Sequence, residues 1–181
     1  MLNRKIKFVP INIAVLTISD TRTLADDKSG KILVEKLSKA GHILTNRKIV
    51  KDSIESITHV LTEWCKNTSV DVIITTGGTG LTGRDVTPEA VTGFFDKPIE
   101  GFGELFRYIS FKKIGTSALQ SRATAGVKNG KYIFCLPGSP SACIDAWDNI
   151  LLLQLDIRHK PCNFVEILPR LKEYELSRSK K

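Results

Sequence analysis

The stretch GGTGLTG, residues 77–83, contains the residues best suited to binding a phosphate. Glycine allows positive φ angles and lets a ligand approach the main chain closely. An apolar run at 72–74 precedes the stretch, and Thr87-Pro88-Glu89 follows it. Threonine is a good helix N-cap, proline suits the first helical position, and the helix dipole favours an acid in the first turn. The succession of strand, glycine loop and helix start therefore predicts a loop whose amide groups face an anion.

Asp85 lies just beyond this glycine loop. A carboxylate beside a bound phosphate repels it unless a cation lies between them, which suggests Mg²⁺ held by carboxylates and substrate phosphates. The alternative is that Asp85 only caps a turn next to Arg84. The loop is not a Walker A motif, because no GK[ST] follows it, and its glycine spacing differs from the dinucleotide fingerprint G-x-G-x-x-G.

A second junction of strand, glycine and helix is LPGSPSA, residues 136–142. Ser139 can cap the helix and Pro140 can take its first position, and the helix then extends to about residue 155. Its residues are apolar on several sides, which is typical of a buried helix. It is either a core helix or part of an oligomer interface.

Polar groups also follow the first two predicted strands. The apolar run at 11–19 predicts the first strand, and it ends in Ser19-Asp20, at the end of the strand where open α/β sheets bind ligands. The second strand is predicted at 43–50. Asp52-Ser53-Ile54-Glu55 comes next and matches the capping box of the following helix.

These groups need a sheet to bring them together. Apolar spacing predicts a helix over 28–40, and strands alternate with helices throughout the first half of the chain. That alternation predicts an α/β fold with a mostly parallel sheet between two helical layers, that is, a three-layer α/β/α architecture. Residues 96–98 break the pattern, and a short helix is predicted at 104–111. Asn129-Gly130 between two β-prone runs predicts a β-hairpin before the last long helix.

Length and composition predict one domain, 1–181, with a core at about 11–165. The net charge is +8, and most of the excess lies in basic tails at 1–7 and 170–181, which we expect to be solvated. A folded basic face is therefore not expected, and neither is a nucleic-acid partner. The chain has no 18-residue apolar run and no C-x-x-C pair, so we expect no membrane partner and a cytoplasmic location.

Several motifs together resemble one known family. They are Thr17-Ile18-Ser19-Asp20, then DDKSG at 26–30, then GGTG followed by RDVTPEA at 84–90, and the late PGSP. This combination resembles the molybdopterin-binding family of molybdenum cofactor biosynthesis, and the resemblance covers roughly 11–165. The late run PCNF, residues 161–164, is similar to the B-type subgroup of that family.

The resemblance implies adenylylation of molybdopterin, with ATP as co-substrate and Mg²⁺ as the metal. By resemblance Asp52 and Asp85 are the catalytic and metal-binding carboxylates. The residues that would line the pocket for the pterin phosphate or the nucleotide are Ser19, Asp20, Gly77, Gly78, Thr79, Gly80 and Thr87. The second phosphate-side loop would be Pro137-Gly138-Ser139. The family also implies self-association as a trimer, or as a hexamer for the B-type subgroup.

Two further functions remain as alternatives. The second loop reads PGSPSA, whereas the established adenylyltransferases of the family usually carry a lysine near its end, so a module that binds pterin or nucleotide without turnover is one alternative. A nucleic-acid-associated protein is the other, and the position of the basic residues in the tails opposes it. Adenylyl transfer itself needs no Ser, Cys or His nucleophile, because the terminal phosphate of molybdopterin can attack the α-phosphorus of ATP.

Overall fold

A computed structural model describes residues 2–173. Its centre is a six-stranded sheet with the spatial order β2-β1-β3-β6-β5-β4. The strands are β1 (Asn12–Ile18), β2 (Ile43–Val50), β3 (Val72–Thr76), β4 (Lys97–Pro98), β5 (Thr124–Lys128) and β6 (Lys131–Leu136). The first four in space are parallel, β5 is antiparallel to β6, and β4 is antiparallel to β5. The predicted mostly parallel sheet is confirmed.

Helices cover both faces of the sheet. They are α1 (Lys28–Lys39), α2 (Ile54–Lys66), α3 (Thr87–Thr92), α4 (Glu100–Ile114), α5 (Pro140–Ala146), α6 (Leu152–Gln154) and α7 (Phe164–Ile167). A π-helical turn, Trp147–Leu151, joins α5 and α6, and 3₁₀ turns occupy Gly115–Gln120 and Leu168–Arg170. Within residues 2–173, no helix is both long and apolar enough to span a membrane.

The central strands are buried on both sides, as their continuous apolar runs require. Ile13 and Val15 of β1 face one core cluster, together with side chains of α1, α4 and α5. Ala14 and Leu16 face the other cluster, together with side chains of α2 and α3. Because successive strand residues point to opposite faces, one strand supplies both cores. The three-layer α/β/α prediction is therefore confirmed.

The predicted β-hairpin is present and its turn is Asn129-Gly130. Asn129 has φ 49° and Gly130 has φ 71°, the left-handed conformations that this two-residue turn requires. The Asn129 side chain donates a hydrogen bond to the Cys65 carbonyl oxygen at 2.8 Å, and its main-chain N–H donates to Asp96 at 2.7 Å. The turn is thus fixed to α2 as well as to its own strands.

Residues near both termini contact the body of the domain, although we expected solvated tails. Leu2 forms an isolated β-bridge with His159, and the Arg158 guanidinium lies 5.0 Å from the centroid of the Phe8 ring. At the other end, Lys172 Nζ donates to Asn129 Oδ1 at 2.7 Å. The rest of the predicted basic tail, 174–181, lies outside the described residues.

Two elements between α3 and β5 differ from the prediction. Lys97–Pro98 was expected only to break the pattern, but it forms β4 and pairs with Val127 and Gly126. Proline is tolerated there because an edge strand leaves one side unpaired. Helix α4 is longer than predicted, because its buried Phe102 and Phe106 outweigh the low helix propensity of the glycines in its first turn.

Candidate functional site

A cavity with a volume of about 550 Å³, which we call the main cavity, opens where the carboxyl ends of β1, β3 and β6 meet. Three loops contribute to it, namely those after β1, β3 and β6. Asp52, beyond the end of β2, reaches the same cavity. Parallel strands place their carboxyl ends at one edge of the sheet, which is where α/β folds bind ligands. The topology therefore brings the polar strand ends of the sequence together.

The loop after β3 owes its shape to Gly77 and Gly78, which have φ angles of 109° and 64°. A Cβ atom on Gly77 would collide with the Ile18 carbonyl oxygen, and one on Gly78 would collide with Thr87 Oγ1. Glycine is therefore required at both positions by backbone conformation and by close packing.

Thr87 is fully buried and stabilises this loop through two hydrogen bonds. Its hydroxyl donates to the Gly77 carbonyl oxygen at 2.9 Å, and its main-chain N–H donates to the Gly78 carbonyl oxygen at 2.9 Å. The prediction that Thr87 caps α3 is wrong, because Val86 is the N-cap residue and Thr87 begins the helix. The threonine side chain supports the loop instead of lining the cavity.

Replacing Gly78 with alanine should destabilise the protein by about 1–3 kcal/mol, the range for a strained non-glycine backbone. The added Cβ would also displace the Thr87 hydroxyl and with it the loop. Gly83→Ala is the matched control, because a Cβ at Gly83 meets no atom within 4 Å. Chemical denaturation of both variants measures the difference. Equal stabilities of the two variants would contradict this account of the loop.

Arg122 lies in the segment that precedes β5 and binds the glycine loop through several hydrogen bonds. Its Nε donates to the Gly80 carbonyl oxygen at 2.7 Å and its Nη2 donates to the Asp85 carbonyl oxygen at 2.7 Å. Its own main-chain N–H donates to the Thr79 carbonyl oxygen at 3.0 Å, and the guanidinium forms an ion pair with Glu89. One side chain thus fixes both ends of the loop. Nothing in the sequence around Arg122 indicated this role, because its partners lie more than 30 residues away.

Asp85 lines the cavity and also closes a turn. Its Oδ2 accepts hydrogen bonds from the Thr82 main-chain N–H at 2.9 Å and from the Thr82 hydroxyl at 2.6 Å. Partial burial acts to raise the pKa of Asp85, but the hydrogen bonds from Thr82 and Gly80 and the charge of Arg122 outweigh it, so the pKa is lowered. The turn-capping role of Asp85 is therefore present, and its place in the cavity leaves the metal-binding role a prediction.

Asp52 reaches the cavity because it does not cap α2. The N-cap is Ser53, whose hydroxyl accepts from the Ser56 main-chain N–H at 3.1 Å, so the predicted capping box is displaced by one residue. Partial burial, followed by the negative charge of Asp20, raises the pKa of the Asp52 carboxyl. A carboxylate in such surroundings favours a neighbouring cation.

Asp20 lies at the mouth of the site and is already neutralised. Its carboxylate accepts from Arg84 Nε at 2.9 Å and also forms an ion pair with the Arg84 guanidinium. It accepts the Asp52 main-chain N–H at 3.2 Å as well. The hydrogen bond from Arg84 is the main cause of the lowered pKa of Asp20. Asp20 therefore links the loop after β1 to the glycine loop.

The second loop, Pro137-Gly138-Ser139, packs directly on the first. A Cβ on Gly138 would lie 3.2 Å from the Gly77 Cα, and the Thr76 hydroxyl donates to the Pro137 carbonyl oxygen at 2.9 Å. Ser139 caps α5, as predicted, by accepting the Ala142 main-chain N–H at 3.2 Å. The two glycine loops therefore form one continuous wall of the cavity.

Asp27 at the start of α1 is a functional candidate that the sequence did not single out. Its buried carboxylate accepts from the Thr17 hydroxyl at 2.8 Å, the Gly30 main-chain N–H at 2.8 Å and Arg47 Nη2 at 2.9 Å. The adjacent Lys28 is exposed and lines the cavity. Its side chain forms no hydrogen bond or ion pair within residues 2–173, so its charge is available to a ligand.

The wall opposite the loops comes from α4 and the 3₁₀ turn behind it. It contains both apolar and hydroxyl side chains, namely Phe106, Ser110, Ile114, Ser117 and Ala118. No local motif in the sequence marks this wall, because it forms only when α4 folds across the end of the sheet.

Most of the predicted site residues line the main cavity. These are Ser19, Asp52, Gly77, Gly78, Thr79, Gly80, Asp85, Pro137, Gly138 and Ser139. Two do not. Asp20 lines a neighbouring cavity, and Thr87 lies beneath the glycine loop.

Comparison with known proteins agrees with this geometry. A family model described as "Probable molybdopterin binding domain" matches residues 14–157, from β1 to just beyond α6. The chain belongs to this molybdopterin-binding family. The matched region contains both glycine loops, Asp52 and Asp85.

Members of the molybdopterin-binding family resemble the chain over most of its length. Molybdenum cofactor biosynthesis protein B of Escherichia coli (strain K12) is 49% identical over 158 residues, 87% of this chain and 93% of that protein. A crystal structure of a molybdenum cofactor biosynthesis protein B superposes with a TM-score of 0.83 at 43% identity, covering 91% of this chain and 98% of that one. The tungsten cofactor synthesizing protein MoaB from Pyrococcus furiosus superposes with a TM-score of 0.71 at 37% identity, covering 78% and 91% of the two chains.

Proposed function

We propose that this protein acts in molybdenum cofactor biosynthesis, binding molybdopterin in the main cavity and adenylylating it with ATP. One observation supports the proposal above the others: two glycine loops, the carboxylates of Asp52 and Asp85, and a lysine without a partner among residues 2–173, Lys28, line a single cavity. Its volume of about 550 Å³ lies in the range of small-molecule sites. The names of the relatives point to the same pathway.

The reaction asks for positioning and charge stabilisation from the protein. A phosphate oxygen of molybdopterin bonds to the α-phosphorus of ATP, the bond from that phosphorus to the bridging oxygen breaks, and pyrophosphate leaves with the electron pair. Loop amides and cations are the groups that stabilise the charge developing on phosphate oxygens. The loops at 77–80 and 137–139 would supply the amides, and Lys28 and Arg22 would supply charge.

The residues present fit a magnesium ion. Mg²⁺ in substrate sites is held by one or two carboxylates together with phosphate oxygens and water. Asp52 and Asp85 line the same cavity, and within residues 2–173 no larger cluster of His, Cys, Asp and Glu suits a metal. When bound, the ion would neutralise charge on the phosphate oxygens. The raised pKa of Asp52 agrees with a carboxylate placed to receive a cation.

A module that binds pterin or nucleotide without turnover is the second candidate. Asp85 already accepts hydrogen bonds within the Thr82 turn. The second loop has the uncharged residues Ser141 and Ala142 where a lysine would be expected in an adenylyltransferase of the family. Lys28 weakens this objection, because it brings a cation to the same cavity from α1.

Incubation with molybdopterin, Mg²⁺ and ATP labelled on the α-phosphate tests the proposal. We expect labelled, adenylylated molybdopterin and an equal amount of pyrophosphate. Molybdopterin binding without label transfer, with or without Mg²⁺, would leave the binding module as the function. Absence of binding of both molybdopterin and ATP would reject both candidates.

Asp85→Asn should reduce adenylyl transfer by about 10- to 100-fold, the scale for losing one partner in a metal site. Asparagine keeps an oxygen acceptor for Thr82 but removes the charge that would attract Mg²⁺. Molybdopterin affinity measured without metal should stay equal or improve, because a negative charge near the phosphate is gone. Unchanged turnover would mean that Asp85 serves only the turn, since asparagine closes such turns as well as aspartate does.

Self-association is also part of the proposal, as a trimer or a hexamer. Helix α4 and the following 3₁₀ turn expose large apolar side chains, with Tyr108 57%, Phe111 56% and Leu119 79% accessible. Large exposed apolar side chains on one helix and the turn that follows it suit a contact with another protein chain. Light scattering after size exclusion would give the mass of the assembly, and a monomer at micromolar concentration would contradict this part.

A further inference from the structure

A second cavity of about 430 Å³ lies beside the main one. It is formed by the loop after β1, residues 19–24, and by the end of β2, residues 47–51. Ser19 and Arg22 line both cavities. The Ser19 main-chain N–H donates to the Val50 carbonyl oxygen at 2.9 Å, which joins the two segments. A ligand longer than one cavity can therefore extend into the other past these shared residues.

The second cavity is strongly basic. Four basic residues line it, and Asp20 is the single acid among its lining residues. The four cations are Arg22, Arg47, Lys48 and Lys51. Asp20 is neutralised by its ion pair with Arg84, which comes from the glycine loop. The cavity therefore has an excess of positive charge, although the domain outside its tails has few excess cations.

Within residues 2–173, many of the hydrogen-bond donors on these four side chains have no partner. The side chains of Arg22 and Lys51 form no hydrogen bond or ion pair there. Lys48 forms only a loose pair with Glu63, at 3.6 Å between exposed groups. Arg47 uses Nη2 for Asp27, and its buried Nε has no partner in the described chain. Such a group of available donors is suited to an anion with several charged oxygens.

Two aspartates mark the boundary between the cavities. Asp52 lines the main cavity and Asp20 lines the second one. The Asp52 main-chain N–H donates to Asp20 Oδ1 at 3.2 Å, so the two residues are held side by side. Asp52 therefore lies next to the place where the main cavity adjoins the basic one.

We propose that the second cavity binds the β- and γ-phosphates of the nucleotide and holds the pyrophosphate that leaves. This rests on the proposed adenylyl transfer. The acceptor phosphate lies in the main cavity, the α-phosphorus lies at the Ser19–Asp52 boundary, and the leaving group points towards Lys48 and Lys51. When the bond to the bridging oxygen breaks, the electron pair stays on pyrophosphate, and the cations stabilise that charge. The arrangement places acceptor and leaving group on opposite sides of the reacting phosphorus, as in-line displacement requires.

Binding of inorganic pyrophosphate to the whole protein, measured by calorimetry with and without Mg²⁺, tests the assignment. Lys51→Glu should weaken pyrophosphate binding at least about tenfold, because it reverses a charge that lines the cavity. Binding of adenosine monophosphate, which lacks the β- and γ-phosphates, should change much less. Lys48→Glu should also weaken pyrophosphate binding. Lys51 is adjacent to Asp52, whereas Lys48 is four residues away, so weaker binding in both variants cannot come from a disturbed Asp52 alone.

Lys39→Glu is the matched control. Lys39 is an exposed residue at the far end of α1, about 16 Å along the helix from Lys28, and it undergoes the same change of charge. Pyrophosphate binding should then stay within about twofold of the wild type, since a distant surface charge is screened.

The possible results separate this assignment from the proposed function. If the wild-type protein adenylylates molybdopterin and Lys51→Glu binds pyrophosphate normally, the assignment of the second cavity is wrong and the enzymatic function stands. If Lys51→Glu loses pyrophosphate binding but the wild-type protein shows no adenylyl transfer, the second cavity is an anion site and the proposed enzymatic function is rejected. Equal weakening by Lys51→Glu and Lys39→Glu would mean that only net charge matters, and would also overturn the assignment.

Discussion

Replacing Asp52 with asparagine is expected to lower the rate of adenylyl transfer by a factor of about 10² to 10³, the scale for removing one electrostatic stabiliser. Within residues 2–173, no side chain donates a hydrogen bond to the Asp52 carboxylate, whereas the main-chain N–H of Asp52 donates to Asp20 Oδ1 at 3.2 Å. The Asp52 carboxylate is therefore more available to a cation than Asp85, which is held by Thr82. The effect of Asp52→Asn should for that reason exceed the effect of Asp85→Asn.

The free energy of unfolding should hardly change in Asp52→Asn, because the hydrogen bond to Asp20 comes from the Asp52 main-chain N–H, which the substitution keeps. Single-turnover transfer of labelled adenylyl groups measures the loss, and urea denaturation measures the stability. Asp148→Asn is a charge-matched control, since Asp148 forms a surface pair with Lys36 and does not line the cavity. Equal turnover in the two variants would show that Asp52 has no part in the reaction.

Asp27→Ala should cost about 3–5 kcal/mol of folding free energy, the range for removing one partner of a buried ion pair. The Asp27 side chain is 2% exposed and its partner Arg47 is 21% exposed, so the guanidinium would lose its counter-charge while most of its surface is shielded from water. The substitution also removes the N-cap of α1 and the acceptor of the Thr17 hydroxyl. Together these losses approach the whole stability of an ordinary domain.

Urea denaturation of Asp27→Ala measures this loss, and the double variant Asp27→Ala, Arg47→Met provides the control. Removing both charges should restore part of the stability, because an uncharged pair leaves no buried ion. A loss of less than about 1 kcal/mol in the single variant would mean that water reaches Arg47, since exposed pairs contribute no more than that. A double variant less stable than the single variant would contradict the buried-pair account.

Local signals in the sequence predicted the elements that depend on neighbouring residues. The Asn129-Gly130 turn has its own backbone requirement, and the Ser139-Pro140 cap lies within one turn of the helix that it begins. Both were found at the expected residues. The continuous apolar runs likewise identified the buried strands, because a strand covered on both faces has no polar alternation.

Errors of the sequence interpretation arose where a side chain is used by a distant part of the chain. Thr87 looked like a helix cap, but its hydroxyl bonds to Gly77, ten residues earlier. Asp52 looked like a cap, but Ser53 takes that role and leaves the carboxylate to the cavity. Asp27, at the start of α1, binds Arg47 on β2, and no local pattern indicates such a pair. Propensity describes neighbours in sequence, whereas these contacts depend on the sheet order.

The two edges of the sheet have different consequences for aggregation. On one side the sheet ends in β4, which has only two residues, Lys97 and Pro98. A short strand with a lysine and a proline gives another chain little main chain to pair with. Within residues 2–173 the other edge is β2, eight residues long, and it carries Arg47 and Lys48. The cations assigned above to a leaving group therefore also repel a second copy of the strand at the longer open edge.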